Sequence, residues 1–277
     1  GNSTSRFTGS YEGDYHIISG LYINRPVSNF TGLFGFASNA TITNLGLTDV
    51  DITGSDHVGG LAGVLHHIFA LVETCFSSGS VSGNFETGGL IGKISAGTVS
   101  NSYSEAAVNG EETTGGLAGR LDTDGSIENS YTVNIVEGVH FVGGIVGRMD
   151  NGAILYCYSS GTVSGLAYVG GLVGRNVESL LQYSYSLSEI NGNSYVGGLS
   201  GEHRTSSVID HCYSTGPVNG NSSVGGLTGE IWYQSEINNS YSLSNINTTE
   251  TYVNPNGLTG YVYRSTLYNS YYNYETV

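Results

Sequence analysis

The chain has 277 residues, and its 38% hydrophobic content is enough to bury a substantial core. It carries 43 Gly and 21 Tyr but only 8 Lys+Arg, one of them lysine, for a formal charge of −15. A surface so poor in Lys and Arg excludes phosphate-backbone recognition, which needs clustered cations to release counterions, so nucleic acid is not an expected partner. No run of about 18 apolar residues predicts a membrane span, and the opening GNSTSRFTGS lacks a basic region followed by an apolar stretch. The chain reads as a mature product or an excised piece.

Residues 1–31 come before the first regular landmark and are expected to form a first coil or cap. Residues 32–277 are expected to form one continuous repeat domain. A glycine immediately before Leu or Ile recurs at Gly32, Gly60, Gly89, Gly116, Gly144, Gly171, Gly198, Gly226 and Gly257. Most of these glycines sit in an octapeptide such as YVGGLVGR, and the intervals are 27 to 29 residues until the last, which is 31. Self-similarity at a fixed period of this size marks stacked repeats, none of which can bury its apolar side alone.

Further along each unit, Val99, Ile127, Ile154, Leu181, Ile209, Ile237 and Leu267 each precede an aromatic by four residues. With Phe76 these aromatics form the series Tyr103, Tyr131, Tyr158, Tyr185, Tyr213, Tyr241 and Tyr271. Five residues beyond the aromatic comes a β-branched residue, among them Val81, Val108, Val136, Val163 and Ile190. The next Leu or Ile follows nine residues later, until TTETYVNPNG lengthens the last unit.

The units are rich in Gly, Ser, Asn and Thr and show no sustained 3.6-residue period, so helix is disfavoured. The expected fold is all-β: a parallel β-solenoid of about nine coils of 27 to 28 residues, with three strand-like segments per coil. It is expected to be right-handed, from the general chirality of parallel connections. At a stacking distance of about 4.8 Å the rod would be roughly 40 to 50 Å long. The paired glycines are expected to permit positive φ and a tight path at a corner.

The unit VGGLxG followed by a segment such as AILYCYSSGTVSG resembles the GLUG repeat, from about residue 32 to the C-terminus. The opening FTGSYEGDYHIISGLYI is similar to the segment that usually precedes the first such repeat. This resemblance implies a large bacterial or archaeal extracellular protein, a group that includes adhesins and cell-surface IgA metallopeptidases. Such repeats usually accompany a separate active or anchoring domain. The His-Glu-x-x-His motif of the metallopeptidases is missing from the sequence.

Three groups of residues are candidate functional features. The residue after GGLxG reads Val64, Lys93, Arg120, Arg148, Arg175, Glu202 and Glu230. Two residues on, the series is Ser95, Asp122, Asp150, Val177, Arg204 and Trp232. Where the first series turns from Arg175 to Glu202, the second turns to Arg204, which suits an ion-pair ladder relieving like-charge repulsion. A stripe binding acidic glycans is the alternative.

The aromatic series admits two orientations. Strict alternation from the inward Val or Ile favours rings facing the core, yet the Ser/Cys series beside them also reads as a small buried column. Both cannot face inward without a bend at the intervening Asn. Rings facing out would form a stripe suited to sugar rings.

Cys75, Cys157 and Cys212 occupy a column otherwise filled by Ser102, Ser130, Ser184, Ser240 and Ser270. Cysteines two coils apart would be about 9 to 10 Å from each other, too far for a disulfide, so three unpaired buried thiols are expected. His66-His67 lacks metal-ligand spacing, and the apolar run from Ile68 to Val72 beside it suits either an interaction loop or local packing. DTDGS at 122–126 resembles the start of a calcium loop without the remaining ligands, and reads as a turn. No metal or cofactor is expected.

Asp and Glu are dispersed and form no converging column, so catalysis is not expected. The expected role is an extracellular structural or adhesive module of a cell-surface protein, with glycans or end-to-end copies of itself as partners. A subunit of an extracellular filament or sheath and a polysaccharide-active enzyme are the alternatives.

Overall fold

The computed structural model describes residues 1–249 and 257–273. Most of the irregular stretch at residues 248–257 lies outside the described residues. The described chain forms a parallel β-solenoid of about nine turns, with no helix among the described residues. The coils between Ile91 and Gly225 have four or five strand segments rather than the expected three, whereas the two coils between Phe34 and Gly88 have three. In one coil with four they are Val146–Asp150, Ala153–Leu155, Tyr158–Ser164 and Ala167–Gly170. The additional segments arise because each coil is folded sharply at several positions by residues with positive φ.

Register follows the repeat. Ile127 lies beside Ile154, Arg120 beside Arg148, Tyr131 beside Tyr158 and Gly115 beside Gly143, all in parallel pairing. One sheet collects 30 strands, and a second sheet collects seven, one from each of seven coils between Asp56–Gly59 and Ser222–Gly225. The N-terminal strand Ser10–Ser19 pairs in parallel with Thr41–Thr53, with a register shift between Glu12 and His16.

The interior divides into two apolar lobes. The larger contains the Leu or Ile after each glycine pair, including Leu90, Leu117, Ile145, Leu172, Leu199 and Leu227, all fully buried. The smaller packs Val136, Val163, Ile190 and Val218 against Val142, Val169, Val196 and Val224. A buried hydroxyl column runs along the glycine pairs. Ser77 donates to the Gly89 carbonyl at 2.8 Å, Thr132 to Gly144 at 2.9 Å, Ser159 to Gly171 at 2.5 Å and Ser214 to Gly226 at 2.6 Å. The cross-section is therefore pinched where glycine backbone meets this column.

That pinch explains the glycines, and it corrects the expectation of positive φ at the pairs. From Gly59-Gly60 to Gly225-Gly226 none of them has positive φ; the left-handed residue lies ahead of the pair, at His57, Glu86, Thr113, Phe141, Tyr168, Tyr195 and Ser223. What requires glycine is space. A Cβ at Gly60 would lie 2.7 Å from the Gly89 oxygen of the next coil, and one at Gly144 would lie 2.8 Å from the Ser159 Cβ and overlap the Gly171 oxygen.

Candidate functional site: side-chain ladders on the outer wall

The residues after GGLxG lie in one row along the rod. Lys93, Arg120, Arg148, Arg175, Glu202 and Glu230 are register neighbours in successive coils, and Asp122, Asp150, Val177 and Arg204 form the adjacent row. Lys93 and Arg120 each contact Asp122 at 3.1 Å, and Arg120 also reaches Asp150 at 3.1 Å. Arg148 grips Asp150 with Nε at 2.7 Å and Nη2 at 3.0 Å. Beyond the charge reversal, Arg175 and Arg204 meet Glu202 at 2.8 and 3.2 Å. Each of these cations thus touches a carboxylate, and an acidic ligand would compete with those contacts.

A third row comes from the seven-stranded sheet. Glu86 contacts His57, as well as Lys93 at 3.7 Å and Arg120 at 3.3 Å. Burial pushes the Glu86 carboxyl up, but the His57 hydrogen bond and the charges of Lys93, His57 and Arg120 outweigh it and hold the group below its ordinary value. Further along, the Arg148 and Arg175 guanidinium carbons lie 5.9 and 5.5 Å from the centre of the Phe141 ring. Phe141, Tyr168 and Tyr195 stack at 5.0 and 4.6 Å. The signal of this row in the sequence is the first letter of each octapeptide, which varies in type from His57 to Tyr195 and so forms no obvious series.

Glu230 is only 8% exposed, beside Glu202 in register, and no ion pair holds it among the described residues. Burial, together with the Glu202 charge, raises its carboxyl above the ordinary value, while Trp232 and Arg204 offset this in part. The expected result for Glu230→Gln is higher stability near pH 7, by roughly 0.2–1 kcal/mol, the range for stacked cross-strand pairs. A raised carboxyl penalises the fold only where it is ionised. The gain should therefore disappear below the ordinary carboxylate range, which denaturation of both proteins at about pH 7 and about pH 3.5 would check.

The aromatic rings face outward, which corrects the inward orientation that strict alternation favours. A residue with positive φ interrupts the alternation two positions ahead of the ring: Asn101, Asn129, Tyr156, Tyr183, His211, Asn239 and Asn269. The bend turns Ser102, Ser130, Ser184 and Ser240 inward, each about 1% exposed, and leaves Phe76, Tyr103, Tyr131, Tyr158, Tyr185 and Tyr213 half-buried on the outer wall. Tyr241 and Tyr271, at the far end, are exposed.

From Phe76 to Tyr241 the rings stack with centroids 4.8 to 5.2 Å apart and planes within 6° of parallel. Each inner ring therefore covers its neighbours' faces, and the ladder presents edges and phenol groups to solvent. Partial burial raises the phenols of Tyr103, Tyr131, Tyr158 and Tyr213 above their ordinary value. A second short stack, Tyr156 on Tyr183 at 5.1 Å and Tyr183 near His211 at 5.1 Å, stands at the bend itself.

The three thiols are free and buried. Cys75, Cys157 and Cys212 donate to the carbonyls of Glu73, Leu155 and Asp210 at 3.4, 3.2 and 3.3 Å, as the serines of this column do two residues back. Burial pushes Cys75 up to about 11 and Cys157 and Cys212 up to about 12. Alkylation of the native protein near neutral pH is expected to label none of them, and alkylation after denaturation without reductant is expected to label all three. A mass showing fewer labels in the denatured sample would contradict the structure.

Asp122 serves the ion-pair row, and Thr123 and Asp124 adopt positive φ in a turn. His66 and His67 open a bulge with His67 at φ 97°, from which Ile68 and Phe69 project, 66% and 71% exposed. Among the described residues, no group of three or more His, Cys, Asp or Glu side chains is placed to hold a metal ion.

The fold and its ladders define a β-solenoid repeat protein. The family description "The GLUG motif" matches residues 141–164, most of one unit of the series. Over 96 residues, 34% of this chain, the sequence is 38% identical to halomucin of Haloquadratum walsbyi, of which it spans 1%. A solved Bacteroides ovatus structure, provisionally named an immunoglobulin A1 protease, superposes with a TM-score of 0.51 at 18% identity. The likeness covers 94% of this chain and 68% of that one, and is one of fold. The chain thus carries a GLUG motif within a series of like β-solenoid units.

Proposed function

We propose that this chain is a rigid structural and adhesive module of an extracellular cell-surface protein and performs no catalysis of its own. The observation that carries this reading is the even distribution of chemistry along the rod: charged and aromatic residues recur in rows, coil after coil, instead of converging at one point. Catalysis needs acid, base and nucleophile gathered at a single position, which would break the repeat. The GLUG repeats and the partial likeness to halomucin support a cell-surface setting. A row of parallel coils with close-packed glycine seams resists bending, which suits a spacer that holds binding groups away from a surface.

The test is retention of the purified chain on arrayed surface polysaccharides, with product analysis for polysaccharide and peptide turnover. Retention without turnover is the expected result. Reproducible turnover that disappears on changing one carboxylate would overturn the non-catalytic reading, and absence of retention would remove the adhesive part.

A further inference from the structure

The aromatic ladder has a missing rung at its N-terminal end. Phe76 lies in register with Gly46, and Gly46 with Ile17, so the row of rings stops here; the Phe76 ring leans over Gly46, where a Cβ would overlap it, and Ile17 packs beside it. At this break a cavity of about 240 Å³ opens between the ladder and the bend. One side is apolar: Ile17, 58% exposed, with Phe76 and Tyr103. Tyr15, 74% exposed, also lines it, at positive φ within the irregular part of strand Ser10–Ser19.

The opposite side is polar. Asn44, Thr74 and Asn101 line it, all at the bend with positive φ, and so all turned outward. Glu12 orients the first of them, accepting from Asn44 Nδ2 at 2.9 Å and from Thr43 Oγ1 at 2.7 Å. Asn101 Nδ2 leans toward Glu73 at 3.4 Å, a long hydrogen bond. No Lys, Arg or His lines the cavity.

We infer that this cleft binds a single neutral pyranose unit of a glycan, an inference that rests on the adhesive reading above. Its size is below that of sites for extended ligands, so it suits one ring. A pyranose offers an apolar C–H face to Ile17 and the edge of Phe76, and a rim of hydroxyls to amides that both donate and accept. An aromatic side chain of a protein partner would leave those amides unpaired, at a cost in affinity. The lack of a cation argues against uronic and sialic acids.

The experiment is saturation-transfer NMR on the full chain with the methyl glycosides of glucose, galactose and mannose, compared with glucuronate and a tyrosine-containing peptide. At least one neutral glycoside should receive saturation. The expected effect of Tyr15→Ala and of Asn101→Ala is weakening by about tenfold or more, the consequence of one lost wall or one unpaired group. Both residues lie outside the core, so circular dichroism should show the fold retained. Tyr183→Ala, in the separate stack, should leave binding unchanged.

No transfer to any neutral glycoside, transfer only to glucuronate or the peptide, or undiminished binding by both variants would overturn the site. If the variants lose glycoside binding while the parent chain holds it, the site stands. If both variants remain on a glycan surface as firmly as the parent, the cleft falls and the adhesive reading survives; retention on no glycan removes both.

Discussion

Gly144→Ala is expected to destabilise the protein by about 3 kcal/mol or more, toward the upper end of overpacking costs, because the new methyl meets backbone. The added Cβ would overlap the Gly171 oxygen and lie 2.8 Å from the Ser159 Cβ, whose hydroxyl is bonded to that same oxygen. Neither neighbour can yield cheaply, since the coil is held by a parallel ladder on each side. Gly9→Ala is the control: a Cβ there would meet only the Phe7 ring at 3.6 Å, an ordinary contact, and stability should be nearly unchanged.

Denaturant titration of both variants by circular dichroism would measure the difference. Because coils in a stacked repeat depend mainly on their neighbours, the Gly144 variant should also broaden or split the transition. Equal midpoints for the two variants would show that the glycine seam is not the constraint described above.

The second large effect is on pH dependence. His203 is fully buried in a column that is apolar elsewhere, at Ile94, Leu121, Met149 and Ile231, and faces Asn176 in register. The Asn176 amide lies 3.0 Å from His203 Nδ1, and His203 Nε2 lies 3.2 Å from the Glu236 carbonyl. A carbonyl can only accept, so Nε2 carries the proton and Nδ1 accepts from Asn176: the ring is neutral. Burial lowers its pKa to about 4, against bonds to the Glu236 and Ser207 carbonyls that raise it.

An unfolded histidine takes up its proton near pH 6.5, whereas the folded ring resists until about pH 4. The fold therefore keeps this contribution in full above pH 6.5 and loses it progressively as pH falls to about 4, by about 3 kcal/mol in all. His203→Gln, which keeps one donor and one acceptor, should cost stability at neutral pH and have a flatter profile across that window. Denaturation of both proteins between pH 7 and 4 would measure the difference between the curves, in which the contributions of the carboxylates largely cancel. Parallel curves would contradict a neutral, buried ring.

The repeat made much of this protein legible without coordinates. The period, the stacking of like positions and the two charged rows could be read from spacing alone, because Arg120 and Arg148 are the same position of successive coils. A parallel solenoid turns a fixed interval in sequence into a fixed neighbour in space. What spacing could not supply is the path within one coil. Asn129, at φ 48°, reverses the alternation, sends Ser130 inward and leaves Tyr131 on the wall, and no periodic pattern carries that backbone choice.

The same limit applies across the coil. Glu86 and Phe141 reach the basic row only because the glycine seam brings the seven-stranded sheet against the larger one, and the seam depends on hydroxyls such as Ser159 meeting glycine carbonyls. Sequence by itself determined which residues stack along the rod, since that is set by the repeat interval. Only the tertiary structure decided which rows face solvent and which rows meet around the coil, because both follow from left-handed bends and close backbone contacts rather than from residue type.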